Sequence, residues 1–205
     1  MNPNQPPQRP DQYLDTIAAQ AQPPKPAPFI PKKVMYGGGI AIIVAIILLF
    51  AGSIFGSSQR GSAEVLLARL NATQPIVADA QSKLRSSQLR SLNSGLSIYF
   101  TNTLRDSAKP FSNVGVAADS LPTNVVEAEA EATTVLTERL EDARLNAIYD
   151  RTYALEMDYR LATIMTLMQE TYTSTSNEEL RAYLTEAYDN LETTQQAFAD
   201  FNEGS

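Results

Sequence analysis

From residue 63 onward, apolar side chains recur at intervals of three and four, the period of a helix with one buried face. Ala63, Leu66, Leu70, Thr73, Val77, Ala80 and Leu84 form the first such stripe. Pro75 falls inside it, and the continuity of the stripe predicts a kink there rather than an end. Ser86-Ser87 permits a short turn, and Leu89, Leu92, Leu96, Phe100 and Leu104 form a second stripe that should end near Lys109-Pro110. Residues 107–122 read as a long connection, and Asn124 with Glu127 has the polar-x-x-Glu form of a helix start. No Gly or Pro follows as far as Tyr172, so a bend or break is expected near Arg144–Asn146. The helix beyond it carries two apolar rows. One is Tyr153, Met157, Leu161, Ile164, Met168 and Tyr172; the other is Ile148, Leu155, Tyr159, Ala162 and Met165. Apolar residues over that much of the circumference predict a helix central to a bundle. Ser176 and Glu179 read as a capping box ahead of Leu180, Leu184, Ala187, Leu191, Thr194, Phe198 and Phe201. With no alternating run of length, the fold class is all-α, a bundle of four to five helices over residues 57–205.

The pattern changes abruptly upstream. Val34 to Phe55 holds no charge over 22 residues. As a helix it would cover about 33 Å, close to the thickness of a bilayer's hydrocarbon core. We read it as an uncleaved single transmembrane helix, with the lipid bilayer as its partner. A secretory signal peptide has a shorter apolar core behind a shorter basic region. Lys25, Lys32 and Lys33 before the span outnumber Arg60 and Arg69 after it, which places the N-terminus in the cytoplasm and residues 57–205 outside it. Gly37, Ala41 and Ala45, with Gly52 and Gly56, carry the small-xxx-small spacing that lets two such helices pair, so a homo-oligomer is open.

Residues 1–33 hold nine prolines and too little apolar content to fold, and read as a disordered cytoplasmic tail. Between two Pro-rich blocks, Asp11 can cap a short amphipathic turn with Tyr13, Leu14, Ile17 and Ala18 on one face. This tail, with Tyr13-Leu14-x-x-Ile17-Ala18 ahead of a Gly-rich span, resembles the N-terminal segments of single-span membrane proteins of candidate-phylum bacteria. The resemblance implies a shared cytoplasmic protein partner or sorting step.

Composition narrows the chemistry. The chain has neither Cys nor His, which excludes disulfides, thiolate metal sites, Cys nucleophiles and His-based triads. Residues 57–205 carry 12 basic and 21 acidic side chains, a net charge of −9 that is repelled by phosphate backbones, so no nucleic-acid partner is expected. The charge is divided: residues 57–118 are +4 and residues 119–205 are −13, which favours packing of one half on the other. Glu127, Glu129 and Glu131, and likewise Glu138, Glu141 and Asp142, offer oxygen ligands to Ca²⁺ or Mg²⁺ but read more simply as solvated faces. Glu156 and Asp158 lie about 200° apart around their helix and cannot share an ion. Arg160, four residues beyond Glu156, is its expected partner. No catalytic, metal-binding or cofactor-binding residue is assigned.

"LNAIYDRTYALEMDYRLATIMTLMQETY" and "NEELRAYLTEAYDNLETTQQAFADF" resemble the C-terminal half of a bacterial family of exported, ferritin-like four-helix domains of unknown function. Tyr149, Asp150, Arg151 and Tyr153 match its aromatic-Asp-Arg-x-Tyr run, and Leu180, Leu184 and Leu191 match its closing helix. The resemblance implies two helices, a long crossover and two more helices. Tyr159 stands where that family's His would follow Asp158, so a metal role is not carried over. The expected function is a membrane-anchored, non-catalytic structural or protein-interaction module of the cell envelope. The alternative is a divergent ferritin-like domain that binds metal or a small ligand.

Overall fold

The computed structural model describes residues 59–204, which are all-α, with five helices and no strand among the described residues. The span at 34–55 with its pairing face (Gly37, Ala41, Ala45, Gly52, Gly56) and the tail motif (Tyr13, Leu14, Ile17) lie outside them. No described helix is long and apolar enough to cross a membrane.

Helix α1, Gln59–Ala80, runs unbroken through Pro75. Every member of its predicted stripe, on both sides of the proline, is buried. Pro75 and Asn71, whose carbonyl loses its helical donor to the proline, both face solvent. Water can serve that carbonyl, so the helix has no need to end. After the turn at 81–86, the Ser86 hydroxyl accepts from the Leu89 N–H and starts α2, Ser87–Ser112. This helix passes the expected stop at Lys109-Pro110. Pro110, itself buried, deprives the carbonyl of an exposed residue, Asp106, while Phe111 gains a buried place edge-on to Tyr183, with ring centroids 5.8 Å apart. Gly115, at φ 75°, then turns the chain left-handed, and the Val116 N–H returns to Phe111 O. The connection is therefore shorter than predicted, and contains one 3-10 turn at Ala118–Ser120.

Helix α3, Thr123–Leu145, begins directly after Pro122 with no side-chain cap, so Asn124 and Glu127 do not play the part expected of them. The predicted break near residue 145 is present: α3 ends, Ala147 takes a φ of 60°, and α4, Tyr149–Ser174, begins. Helix α5, Glu178–Gly204, is capped by Asn177, whose Oδ1 accepts from the Leu180 N–H at 2.8 Å. The predicted Ser176–Glu179 box does not form, because Glu179 turns to Lys109 Nζ (2.7 Å) and to Asn113.

Helices α1, α2, α5 and α4 form a ring in that order, and α3 lies across the outer groove between α1 and α4. Paired contacts fix the directions. Tyr99 OH donates to Ala187 O (2.9 Å) and Tyr183 OH to Thr103 O (3.0 Å), so α2 and α5 are antiparallel. Ser62 at the start of α1 meets Ser174 at the end of α4 (3.0 Å), so these two are antiparallel as well. It follows that α2 and α4 run the same way, and α3 is the return leg between them.

The centre of the ring is filled by large side chains at 0–1% exposure, among them Phe100, Tyr153, Met157, Leu161, Ile164, Met168 and Phe198. One expectation fails here. The first apolar row of α4 is buried except for Tyr172, but the second is not: Ile148 is 55% exposed, Leu155 57% and Tyr159 37%, and Ala162 is exposed too. Only Met165 of that row is buried. Helix α4 is a member of the ring rather than its axis, because α3 covers its flank and leaves its outer side open.

Leu161→Ala should lower unfolding free energy by about 2–5 kcal/mol in a chemical denaturation series, through lost burial and a residual cavity. Ile98→Ala, at a site 61% exposed, should change it by no more than about 0.5 kcal/mol.

Burial raises the Tyr149 phenol to about 12 and, above all other causes, raises those of Tyr99, Tyr153 and Tyr183 as well. The unfolded chain releases these protons near pH 10 and the folded chain only above it, so their stabilisation is complete below pH 10 and lost as pH rises further. In an alkaline titration, tyrosinate absorbance from these residues should therefore rise together with loss of helical circular dichroism, in one cooperative step above pH 10. Full ionisation of the buried tyrosines while helicity persists would contradict this.

Candidate functional site

Two polar networks interrupt the apolar interior. The first centres on Asn93 of α2, which is fully buried. Its amide donates to Val77 O (3.0 Å) and Gln81 Oε1 (2.7 Å), and its Oδ1 accepts from Tyr153 OH. The phenol of Tyr153 thus reaches across the ring from α4, with its face stacked on Tyr149 at 6.0 Å and Phe198 edge-on at 6.1 Å. Both amide hydrogens are used and the carbonyl oxygen holds Tyr153, so Asn93 fixes the register of α1, α2 and α4.

The second network holds the buried charges. Arg160 of α4 falls on the core side, between Met157 and Ile164, and is 7% exposed; Glu129 of α3 is 6% exposed. The Glu129 carboxylate accepts from Arg69 Nε of α1 at 2.6 and 2.7 Å, and its Oε2 lies 3.6 Å from Arg160 Nη2. Arg160 Nε donates to Thr73 Oγ1 (2.7 Å), and that hydroxyl donates in turn to Arg69 O (2.7 Å). Burial and the neighbouring Arg69 cation bring Arg160 down to about 10, against the pull of Glu129 and Glu156. It remains a cation at neutral pH, where the cluster sums to one positive charge.

This arrangement holds charge and does not move protons. Neither guanidinium gives up a proton near neutrality. The one hydroxyl, on Thr73, has its proton committed to a backbone carbonyl and its lone pair to Arg160. No base stands behind it. The positions of the three groups, one on each of α1, α3 and α4, make the cluster a clasp that seats α3 on the ring.

The carboxylates singled out in the sequence fall elsewhere. Glu156 pairs with Arg139 of α3 and not with Arg160. Asp158, on the other flank of α4, accepts from Gln195 Nε2 of α5 at 2.6 Å. They face different neighbours, as their separation around the helix requires. Glu129 is not part of a solvated acidic face. Among the described residues no group of three or more acidic side chains is placed to hold a metal ion. A recess where α1 begins, lined by Arg60, Asn113, Val114, Ser176 and Asn177, has three of its polar side chains bonded within the chain: Arg60 to Glu64, Asn113 to Glu179 and Asn177 to the α5 terminus.

The clasp was the feature hidden in the sequence. A helical reading does place Arg160 in the buried row, three residues after Met157 and four before Ile164. It places Glu129 four residues after Val125 and seven before Leu136. A charge at a stripe position on each of two helices, of opposite sign, is the signal that could have found the pair. No protein-family model matches the chain, and neither a curated protein nor a solved structure matches it.

Glu129→Ala would leave the buried Arg160 guanidinium beside the half-buried Arg69 with no anion between them, and should destabilise the domain by about 3–5 kcal/mol. Replacing all three charged members together, Arg69→Met, Glu129→Leu and Arg160→Met, should restore stability to within about 2 kcal/mol of the parent or above it. Equal destabilisation by the single and triple changes in urea denaturation would show that the cluster is not a closed charge network.

Proposed function

We propose that this chain is a membrane-anchored, non-catalytic helical-bundle protein that serves in the cell envelope as a structural or protein-interaction module. The observation that carries the reading is the uncharged run from Val34 to Phe55 behind Lys32 and Lys33, followed by a bundle that packs one apolar row of each ring helix into a common core. The first has the length and flanks of a membrane span. The second has a packed interior in which the buried Asn93 and Glu129 side chains are bonded within the chain, which suits a scaffold. Residues 1–33 would then be a cytoplasmic tail with its own protein partner through Tyr13, Leu14 and Ile17, and residues 57–205 the extracytoplasmic part.

A second reading keeps one observation in its favour. Two antiparallel helix pairs whose second and third members run parallel, joined by a long crossover, is the connectivity of ferritin-like bundles. Here α3 supplies that crossover. A di-metal site in such a bundle uses inward Glu and Glu-x-x-His side chains, whereas α4 presents Tyr153, Met157, Leu161, Ile164 and Met168 to the centre. The reading that remains is a ferritin-like bundle given over to packing.

Two measurements test the proposal. Protease added to spheroplasts should digest the bundle and spare the N-terminal tail; a protected bundle refutes the topology. Elemental analysis of the purified chain should find no stoichiometric iron, manganese or zinc, and a chelator should leave its melting temperature unchanged. One or two metal atoms per chain would return the ferritin-like metal reading to first place.

A further inference from the structure

The open side of α4 has an order of its own. Ile148, Thr152, Leu155, Tyr159, Ala162 and Thr166 follow one another at alternating spacings of four and three, and Gln169 continues the series. This is the a/d repeat of a coiled-coil seam, displayed on the side of the helix turned away from its own core. All but the half-buried Thr152 are exposed, and none is charged, on a domain whose net charge is −9. Two carboxylates at the edges of the stripe are already held within the chain, Glu156 by Arg139 and Asp158 by Gln195, and a third, Glu170, stands exposed at its far end. Val135 of α3, one turn before Arg139, adds a further exposed apolar side chain along one border.

We infer that this stripe is the contact face for the α4 of a second copy of the chain, packed parallel and in register. Three observations select that occupant. The seam positions themselves carry no charge for an acidic or a basic partner to pair with, whereas a copy brings an equally uncharged stripe. Two domains of charge −9 repel over their acidic faces, and meet least opposed where neither carries charge. The flanks are complementary in the parallel sense. With Thr152 and Tyr159 at a positions, Arg151 falls at g and Glu156 at the following e, the positions that face each other between parallel strands. Arg151 is exposed and makes no hydrogen bond or ion pair among the described residues, so it is free to add a second guanidinium to the Glu156 carboxylate of the other copy, whose Oε1 already serves Arg139.

The parallel sense also rests on the membrane-anchored reading, since two copies held in one bilayer start from the same side. Thr, Ala and Gln at the seam bury little area, so the contact is weak between free domains. Tethering to one membrane supplies the effective concentration, of order millimolar, that a weak seam needs. The small-residue face of the span, Gly37, Ala41 and Ala45, is compatible with the same pair.

The absence of cysteine makes a disulfide scan of the full chain in its native membrane unambiguous. Leu155→Cys, Ala162→Cys and Thr166→Cys, each alone, should give a covalent dimer under mild oxidation, because in-register layers bring identical positions together along the whole helix. Thr134→Cys, exposed on α3, should stay monomeric. Adding Tyr159→Glu to Ala162→Cys should lower the dimer yield at least about fivefold, as like charges would meet across the seam. Dimer at only one of the three positions would mean crossed or antiparallel helices and overturns the proposal. Equal yield at Thr134→Cys, or none anywhere, overturns it too. Carbonate extraction of the same membranes reads the anchor separately: a chain that is released yet cross-links at all three positions refutes the anchor and supports the pairing.

Discussion

The carboxylate of Glu129, lodged between Arg69 and Arg160, is the interaction on which the architecture turns. A ring of four helices in the order α1, α2, α5, α4 needs the chain to travel from the end of α2 back to the opposite end of the bundle before α4 can begin. Helix α3 makes that journey outside the ring. Its apolar contribution is modest: Val125 joins a small cluster with Val65 and Ala68, while Leu136, Leu140 and Ala143 complete its buried side. An outer helix held by so few apolar groups could slide or rotate in its groove. A buried ion pair with hydrogen bonds at fixed angles specifies one position, which is the best-attested use of such groups where their net stabilisation is small. Without Glu129 the groove beneath α3 would hold two like charges.

Electrostatics acts at a second, coarser level. The basic first half and acidic second half of the domain do meet, as Arg69 with Glu129 and Lys109 with Glu179. A further bond, from the Arg85 and Ser86 N–H groups to the Asp150 carboxylate (3.0 and 2.6 Å), ties the first turn of α4 to the α1–α2 turn. Lys109 is largely exposed, so its pair is screened and small. The pair at Glu129 is shielded from water and strong enough to orient a helix. The same charge asymmetry therefore has different effects at different depths.

Much of the fold was legible in the sequence because the helical period is a local property. The stripes of α1, α2 and α5 were read residue by residue, and the break near Asn146 followed from the length of the uninterrupted pattern. Helix ends were read less well. The two prolines orphan carbonyls of exposed residues, Asn71 and Asp106, and which residue of a helix is exposed is a tertiary fact. The Ser176–Glu179 box failed for a similar reason: Glu179 had better partners in Lys109 and Asn113, from a helix more than sixty residues away. Partner choice for Glu156 followed the same rule, since Arg139 on the adjoining helix stands closer than Arg160, which the core had taken. Local spacing proposes a partner, and packing decides among the candidates.

Periodicity also cannot say which of two apolar rows faces inward. Both rows of α4 have the correct spacing, and a helix with two such rows reads as the axis of a bundle. The structure gives the centre to the row of Met157, Leu161 and Ile164, and turns Leu155 and Tyr159 outward. Charge supplies the distinction that period lacks. An outer face meant only for water gains from charged residues, as α3 shows with Glu127, Glu131 and Glu138, all exposed. The outer face of α4 has the spacing of a buried seam and, from Thr152 through Gln169, none of that charge. Single exposed apolar residues are ordinary, but a charge-free a/d series sustained over several turns has the form of an interface whose other half is not in the same chain.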